Sequence, residues 1–144
     1  MSDFPFDSLL EQAPIGFTRV NLDGEITFAN KAAREILDIP LSISKFCYNS
    51  EFLAIKDVDG TELPPHKYPF NLVKAKKACI YGMKMAFKRD NGLSIISVDG
   101  CPIFQDHTII EYVFVFHDIT MSYLNKRELL NKIAEFRFIL KRFE

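Results

Sequence analysis

Asp99 and Glu111 are the two carboxylates that fall within otherwise apolar, strand-like runs of this 144-residue chain. Burial at such positions tunes an acid or base for proton transfer. Nothing with the spacing of a nucleophile or a metal site joins them. The sequence has no Gly-x-Ser-x-Gly elbow, no phosphate-cradling Gly loop and no His-Glu-x-x-His pair. Asp57 and Asp59 ahead of Gly60 resemble the opening of a calcium loop, but the acidic ligand that should close it is missing, so the segment reads as a turn. Cys47, Cys79 and Cys101 are odd in number and widely spaced, without the close pairs of a zinc site or the regularity of a disulfide framework. They read as reduced thiols in a cytosol. Catalysis within the chain is therefore not expected, and a regulatory or binding role is.

Composition narrows the partners. The net charge is −1 and the isoelectric point about 6.3, so the broad basic field used to bind nucleic acid is missing. Lys74, Lys76, Lys77, Lys84, Lys88 and Arg89 form the one local exception and read as solvated lysines and arginine. No apolar run approaches the roughly 18 residues needed to span a bilayer, so no membrane contact is expected from this segment. The 14 Phe residues, with no Trp, are foremost a core resource, each contributing about 1.5–3 kcal/mol when fully buried.

The elements that must position these residues follow from pattern and punctuation. Ser8 to Gln12 makes a helical turn ended by Pro14, Ile15 to Val20 reads as a strand, and Asp23-Gly24 turns the chain into a partner strand, Glu25 to Ala29. That alternation sets Ile26 and Phe28 on one face, Thr27 and Ala29 on the other. Asn30 caps a helix over Lys31 to Leu37. Residues 42–68 are the least decided stretch. Pro69 opens another helix. Ile80 to Lys88 alternates so that Tyr81, Met83, Met85 and Phe87 share a face, with Lys84 and Lys88 opposite. Asn91-Gly92 makes a hairpin into a long strand, Leu93 to Phe104, where Asp99-Gly100 and Pro102 suit a bulge or an edge. A further turn leads into Ile109 to His117.

Beyond Asp118-Ile119-Thr120, residues 121–144 hold no Gly or Pro and would span about 36 Å as one helix. Leu129, Ile133, Phe136, Leu140 and Phe143 recur at coiled-coil spacing, so the stripe is expected to meet a second copy, aided by Phe4, Phe6 and Leu9. Thr120 is expected to cap this helix, with Asp118 adding charge near its positive end. The absence of a stop signal after Lys141 leads to the expectation that the helix continues into another domain.

The order of elements, together with Leu9 to Gly16, Asn21-Leu22-Asp23-Gly24, Ile26 to Ala33, Leu63-Pro64, Pro69, Asp90-Asn91-Gly92, Pro102-Ile103 and Asp118-Ile119-Thr120, resembles a PAS domain, the sensory module of many bacterial signalling proteins. The resemblance covers nearly the whole chain. It implies an α+β fold: a five-stranded antiparallel sheet in the order 2-1-5-4-3, covered on one face by short helices, with residues 1–120 as the sensory domain and 121–144 as a linker helix. It also implies a homodimer that binds a small ligand and relays its state through Asp118 and Thr120 to a histidine kinase, diguanylate cyclase or similar effector. In the family the Asp118 position pairs with a basic residue, for which Lys126 or Arg127 is available.

The resemblance brings two cofactors into view, and the residues favour neither, so the cofactor is unknown. A haem would use a histidine from the helix before the third strand, whereas His66 lies among Pro65, Lys67 and Pro69. His107 sits in a turn and His117 beside the junction. The light-sensing branch carries Asn-Cys-Arg-Phe-Leu-Gln, where this chain has Lys45-Phe46-Cys47-Tyr48-Asn49. Ligand-lining residues are then Phe28, Met83, Met85, Tyr112 and Phe114, with Thr18, Asn30, Tyr48, Tyr81 and Ser97 as polar contributors. A filled core is the simpler account of the same alternation, and a ligand-free dimerisation module the alternative function.

Overall fold

A computed structural model of the protein describes residues 4–38, 55–89 and 92–142. Helix α1 (Phe4–Gln12) leads to β1 (Gly16–Val20) and β2 (Ile26–Ala29), then α2 (Lys31–Leu37), β3 (Ile55–Lys56) and α3 (Pro69–Lys76). Three long strands follow, β4 (Ile80–Arg89), β5 (Gly92–Gln105) and β6 (Thr108–Asp118), before α4 (Thr120–Lys141). The strands form one antiparallel sheet in the order β2-β1-β6-β5-β4-β3. The sheet has six strands where five were expected, because the two-residue β3 adds at the edge of β4. Removing it leaves the expected order.

One sheet face and the helices enclose the core. Val20, Ile26, Ala33, Val73, Met85, Ile96, Val98, Phe114 and Phe116 are almost wholly buried there. Gly100 lies on the same face because nothing larger fits: a Cβ would stand 2.5 Å from the Phe114 ring and 3.2 Å from Val73. The turn at residues 57–60 closes through Gly60 N–H to the Asp57 carbonyl at 2.9 Å, and Asp59 Oδ1 accepts from the Thr61 amide and hydroxyl. Those bonds hold the Asp59 carboxyl below its ordinary pKa.

Two register shifts correct the face assignments. Val20 pairs with Ile26 but Arg19 with Phe28, so Ile26 and Ala29 face the core and Phe28 faces away. In β4 the pairing shifts between Ile80 and Met83. Gly82 takes φ 63° there, and its N–H donates to Asp99 Oδ1 at 2.7 Å. This bulge turns Tyr81 outward, where it is 75% exposed. Asp99 is thus the residue that closes the irregularity, and β5 is a central strand. Its Pro102 lies beyond Gly100, the partner of the first paired residue of β4, so no β4 bond is lost there.

The same bulge overturns the expectation of three reduced thiols. An unbroken register from the Arg89–Gly92 pair would set Cys101 against Ile80. The extra residue moves Ile80 to Gly100, and Cys79 reaches Cys101, with which it forms a disulfide. Cys47 lies outside the described residues.

Asn30 ties the N-terminal elements together. Its Oδ1 accepts from Ala33 N at 2.9 Å, capping α2, and from Phe17 N at 2.9 Å, while Nδ2 donates to the carbonyls of Leu10 at 2.7 Å and Ile15 at 2.9 Å. The residue is fully buried. Asn30→Ala strands these backbone groups and is expected to lower the unfolding free energy by about 3 kcal/mol in urea titration. Asn30→Asp, which keeps the acceptor and loses both donors, should fall between the two.

Candidate functional site

The residues read as ligand-lining divide between the two sheet faces. Thr18, Asn30, Met85, Tyr112 and Phe114 are buried on the core side, and Met83 packs against them. Phe28 and Ser97 are on the other face, where Phe28 meets Phe17 edge to face at 6.2 Å and Ser97 sits between Lys84 and His117. Tyr81 is turned to solvent, and Tyr48 lies outside the described residues. Asn30 has no hydrogen-bonding capacity left for a ligand, since both donors and both acceptor positions are committed to the backbone.

Thr18 differs from Asn30. Its side-chain oxygen is buried and has no hydrogen-bond partner among the described residues. It stands between Ala29 of β2 and Phe114 of β6, on the core face one strand in from the sheet edge. Leaving such a hydroxyl unpaired costs about 1–3 kcal/mol. Deeper in the same face, Phe70 meets Tyr112 edge to face at 5.2 Å, and burial raises the Tyr112 phenol above its ordinary pKa.

The second feature is the junction between β6 and α4. Ile119 N–H donates to the Ile95 carbonyl at 2.9 Å, and Ile95 N–H donates to Thr120 Oγ1 at 2.9 Å. The Thr120 hydroxyl in turn donates to Asp118 Oδ1 at 2.6 Å, and the same oxygen accepts from Thr120 N at 3.0 Å. The expected roles are therefore exchanged. Asp118 satisfies the first free amide of α4, and Thr120 fastens the helix to β5 rather than capping it. Among the described residues neither Lys126 nor Arg127 pairs with Asp118. Both line a groove of about 390 Å³ with Lys84, Ile119, Ser122, Tyr123 and Leu130, where α4 stands off the outer sheet face.

Farther along α4, Leu129, Ile133, Phe136 and Leu140 are exposed, by 40% at Ile133 and 63% at Phe136, and Phe143 lies outside the described residues. Leu9 is exposed, while the Phe4 and Phe6 side chains are outside the described part.

Sequence reasoning missed the ion pair that locks β1 to β6. Arg19 Nε and Nη2 donate to the two carboxylate oxygens of Glu111 at 2.8 and 2.9 Å. This bidentate bond holds the Glu111 carboxyl below its ordinary pKa, and Glu111 is thereby an ion-pair partner rather than a buried acid. The register of β1 on β6 carries the signal that finds it, and that register is not local in sequence.

Neither cofactor fits the described residues. His66 lies in the exposed 3₁₀ turn Pro65–Lys67, away from the core. Among the described residues the buried polar side chains are Thr18, Asn30, Ser94 and the Tyr112 phenol, and Asn30 is committed to the backbone, which leaves few groups to hold a flavin ring system by its edge. No group of three His, Cys, Asp or Glu side chains suited to a metal occurs among the described residues. No described helix is long and apolar enough to cross a membrane.

Comparison with known proteins agrees with this geometry. Residues 6–68 match the PAS domain family model. The fold is similar to that of an RNA-binding light-oxygen-voltage receptor, with a TM-score of 0.68 and 12% identity over 95% of this chain and 38% of that one. It is also similar to the PAS domain of an HTR-like protein from Haloarcula marismortui, at 0.55 and 13% over 82% of this chain and 92% of that one. The PAS domain of the fruit-fly ELK potassium channel gives 0.53 and 14% over 83% and 98%. No curated protein matches the sequence. The chain thus has the fold of PAS domains, a class of sensory and signalling modules, and its residues 6–68 match that family. Domains of this class are generally regulatory rather than catalytic, and commonly dimerise and bind small ligands.

Two substitutions test the site. Thr120→Val leaves the Ile95 amide without its acceptor and is expected to cost about 1–3 kcal/mol. Hydrogen exchange should quicken at Ile95 and in the first turn of α4, and Thr120→Ser should restore protection. Glu111 has a depressed folded-state pKa, so its contribution is present above the unfolded-state pKa and is lost as pH falls through the folded-state value. Glu111→Gln should therefore destabilise by about 0.5–1 kcal/mol at pH 7, discounted for a partly exposed pair. Chemical denaturation should find that difference vanishing in acid.

Proposed function

We propose that this PAS domain is a cytoplasmic sensory and dimerisation module, non-enzymatic in itself, whose core binds a small ligand and whose state is relayed through α4. The observation that carries the reading is the double tie of Ile95 to Ile119 and Thr120. Ile95 is followed in β5 by Ile96, which is fully buried in the core. A change in the core that displaces β5 therefore pulls on the first residues of α4. The groove beside Lys84 leaves that helix room to rotate.

The unpartnered Thr18 hydroxyl supports the ligand half of the proposal, since a ligand acceptor or donor would recover its desolvation cost. Met83 and Met85 supply adaptable apolar surface elsewhere on the same core face. The exposed stripe from Leu129 to Leu140 supports the dimer half, with a second copy of α4 covering it. In this division residues 1–120 sense and residues 121–144 transmit, as a coiled coil leading to an effector of histidine kinase or diguanylate cyclase type in a bacterial signalling protein. A small rotation of the helices would exchange one apolar seam for another.

Native mass spectrometry of freshly purified protein, with an absorption spectrum, tests both halves. The expected result is a dimer carrying a non-protein mass that leaves on denaturation. Thr18→Val should lose that mass while raising the stability of the ligand-free protein by about 1 kcal/mol, because an orphaned hydroxyl is replaced by a methyl. A colourless dimer with no added mass in either protein would instead establish a ligand-free dimerisation module. A monomer at high concentration with α4 intact would remove the dimer half.

A further inference from the structure

We infer that Cys79 and Cys101 form a reversible thiol–disulfide site, open to low-molecular-weight thiols and disulfides, that controls how firmly the α3–β4 junction is held against β5. The two residues are bonded across the start of β4. Both residues are half-buried rather than sealed in the core. This chemistry is separate from ligand binding in the core.

The backbone brings the two cysteines together without needing the bond. Ile80 is already paired with Gly100 beside them, and the bulge that sets this register is fastened by Gly82 N–H to Asp99 Oδ1 at 2.7 Å. Reduced thiols therefore stay adjacent, and closure is an intramolecular step at high effective concentration. A cross-link that alone held distant segments together could not open and close in this way.

The bond also sits where it has mechanical leverage. Helix α3 ends at Lys76, its C-cap Lys77 adopts a left-handed φ of 53°, and Ala78 alone separates that cap from Cys79. On the partner strand, Gly100 is wedged beneath Val73 of α3 and the Phe114 ring. The cross-link thus anchors the end of a core-covering helix to the strand it covers. When it opens, the junction is held by the Ile80–Gly100 pairing that ends the ladder before the bulge.

The exchange balances with glutathione disulfide as the two-electron oxidant. The thiolate of one cysteine attacks a sulfur of glutathione disulfide, expelling one glutathione thiolate and leaving a mixed disulfide. The second cysteine, as thiolate, attacks the protein sulfur of that intermediate and expels the other glutathione thiolate. Two electrons pass from the cysteines to glutathione disulfide, and the two protons end on the released glutathione. Reduction is the reverse.

The test equilibrates the folded full chain, in a Cys47→Ser background, with glutathione buffers of graded ratio. Thiols are counted by maleimide mass shift, and amide exchange is followed in the peptide containing residues 77–80. The expected result is that two thiols appear and disappear together and reversibly, with circular dichroism unchanged. Exchange across residues 77–80 should be at least five-fold faster in the reduced form. Cys101→Ser should exchange like the reduced form at every ratio, and if that variant fails to fold, dithiothreitol-treated protein supplies the same comparison. A bond that resists reduction until the protein unfolds would overturn the inference. So would thiols that do not re-form the bond in glutathione disulfide, or exchange rates equal in the two states.

Discussion

A backbone amide without a helix or ladder partner needs another acceptor, and at three irregularities of this chain a side chain supplies it. Asn30 takes the Phe17 amide at the edge of β1 and the Ala33 amide at the start of α2. Asp99 takes the Gly82 amide at the bulge. Thr120 takes the Ile95 amide where β6 has run out, and Asp118 takes the amide of Thr120 itself. Each irregularity is held by one or two short polar residues. The placement of α1, the facing of β4 and the attachment of α4 all follow from these bonds.

The sequence made the regular parts legible and misplaced what depends on the irregular ones. Lys31 to Leu37 and Pro69 marked elements correctly because their signals are local, while Asn91 lies outside the described residues. Tyr81 and Phe28 were assigned to the wrong face because strict alternation fails at a register shift, and one added residue inverts every side chain on one side of it. The disulfide was hidden by the same shift, since the hairpin count from the turn sets Cys101 one residue away from Cys79. Arg19 and Glu111 meet across strands far apart in the chain, which no local pattern reveals. At the junction the residue types were read correctly and their roles exchanged, because a hydroxyl that can cap a helix can equally bond a neighbouring strand.

The core face shows how little polarity such a module keeps free. Asn30 is as buried as Thr18, yet its amide is consumed by the scaffold, whereas the Thr18 hydroxyl has no partner among the described residues. Apolar packing around it is dense, with Phe114 and Phe116 fully enclosed and Gly100 reduced to bare backbone to admit the Phe114 ring. Stability and responsiveness are therefore divided between residues. The large aromatics supply burial energy, and a few short polar side chains decide where the sheet is joined to anything else.

The pairing of β1 with β6 bears on the order in which the molecule assembles. The β5–β6 hairpin turns at Asp106 and His107 and can close by itself, as can β1–β2. Gly16 to Val20, however, must wait for Tyr112 to Phe116, almost a hundred residues later in synthesis. Until those residues leave the ribosome, one edge of β1 has no strand to bind, and α1 and α2 gather around an unfinished sheet. The N-terminal third is made first and completed last, and the strand that completes it is the one that runs directly into α4.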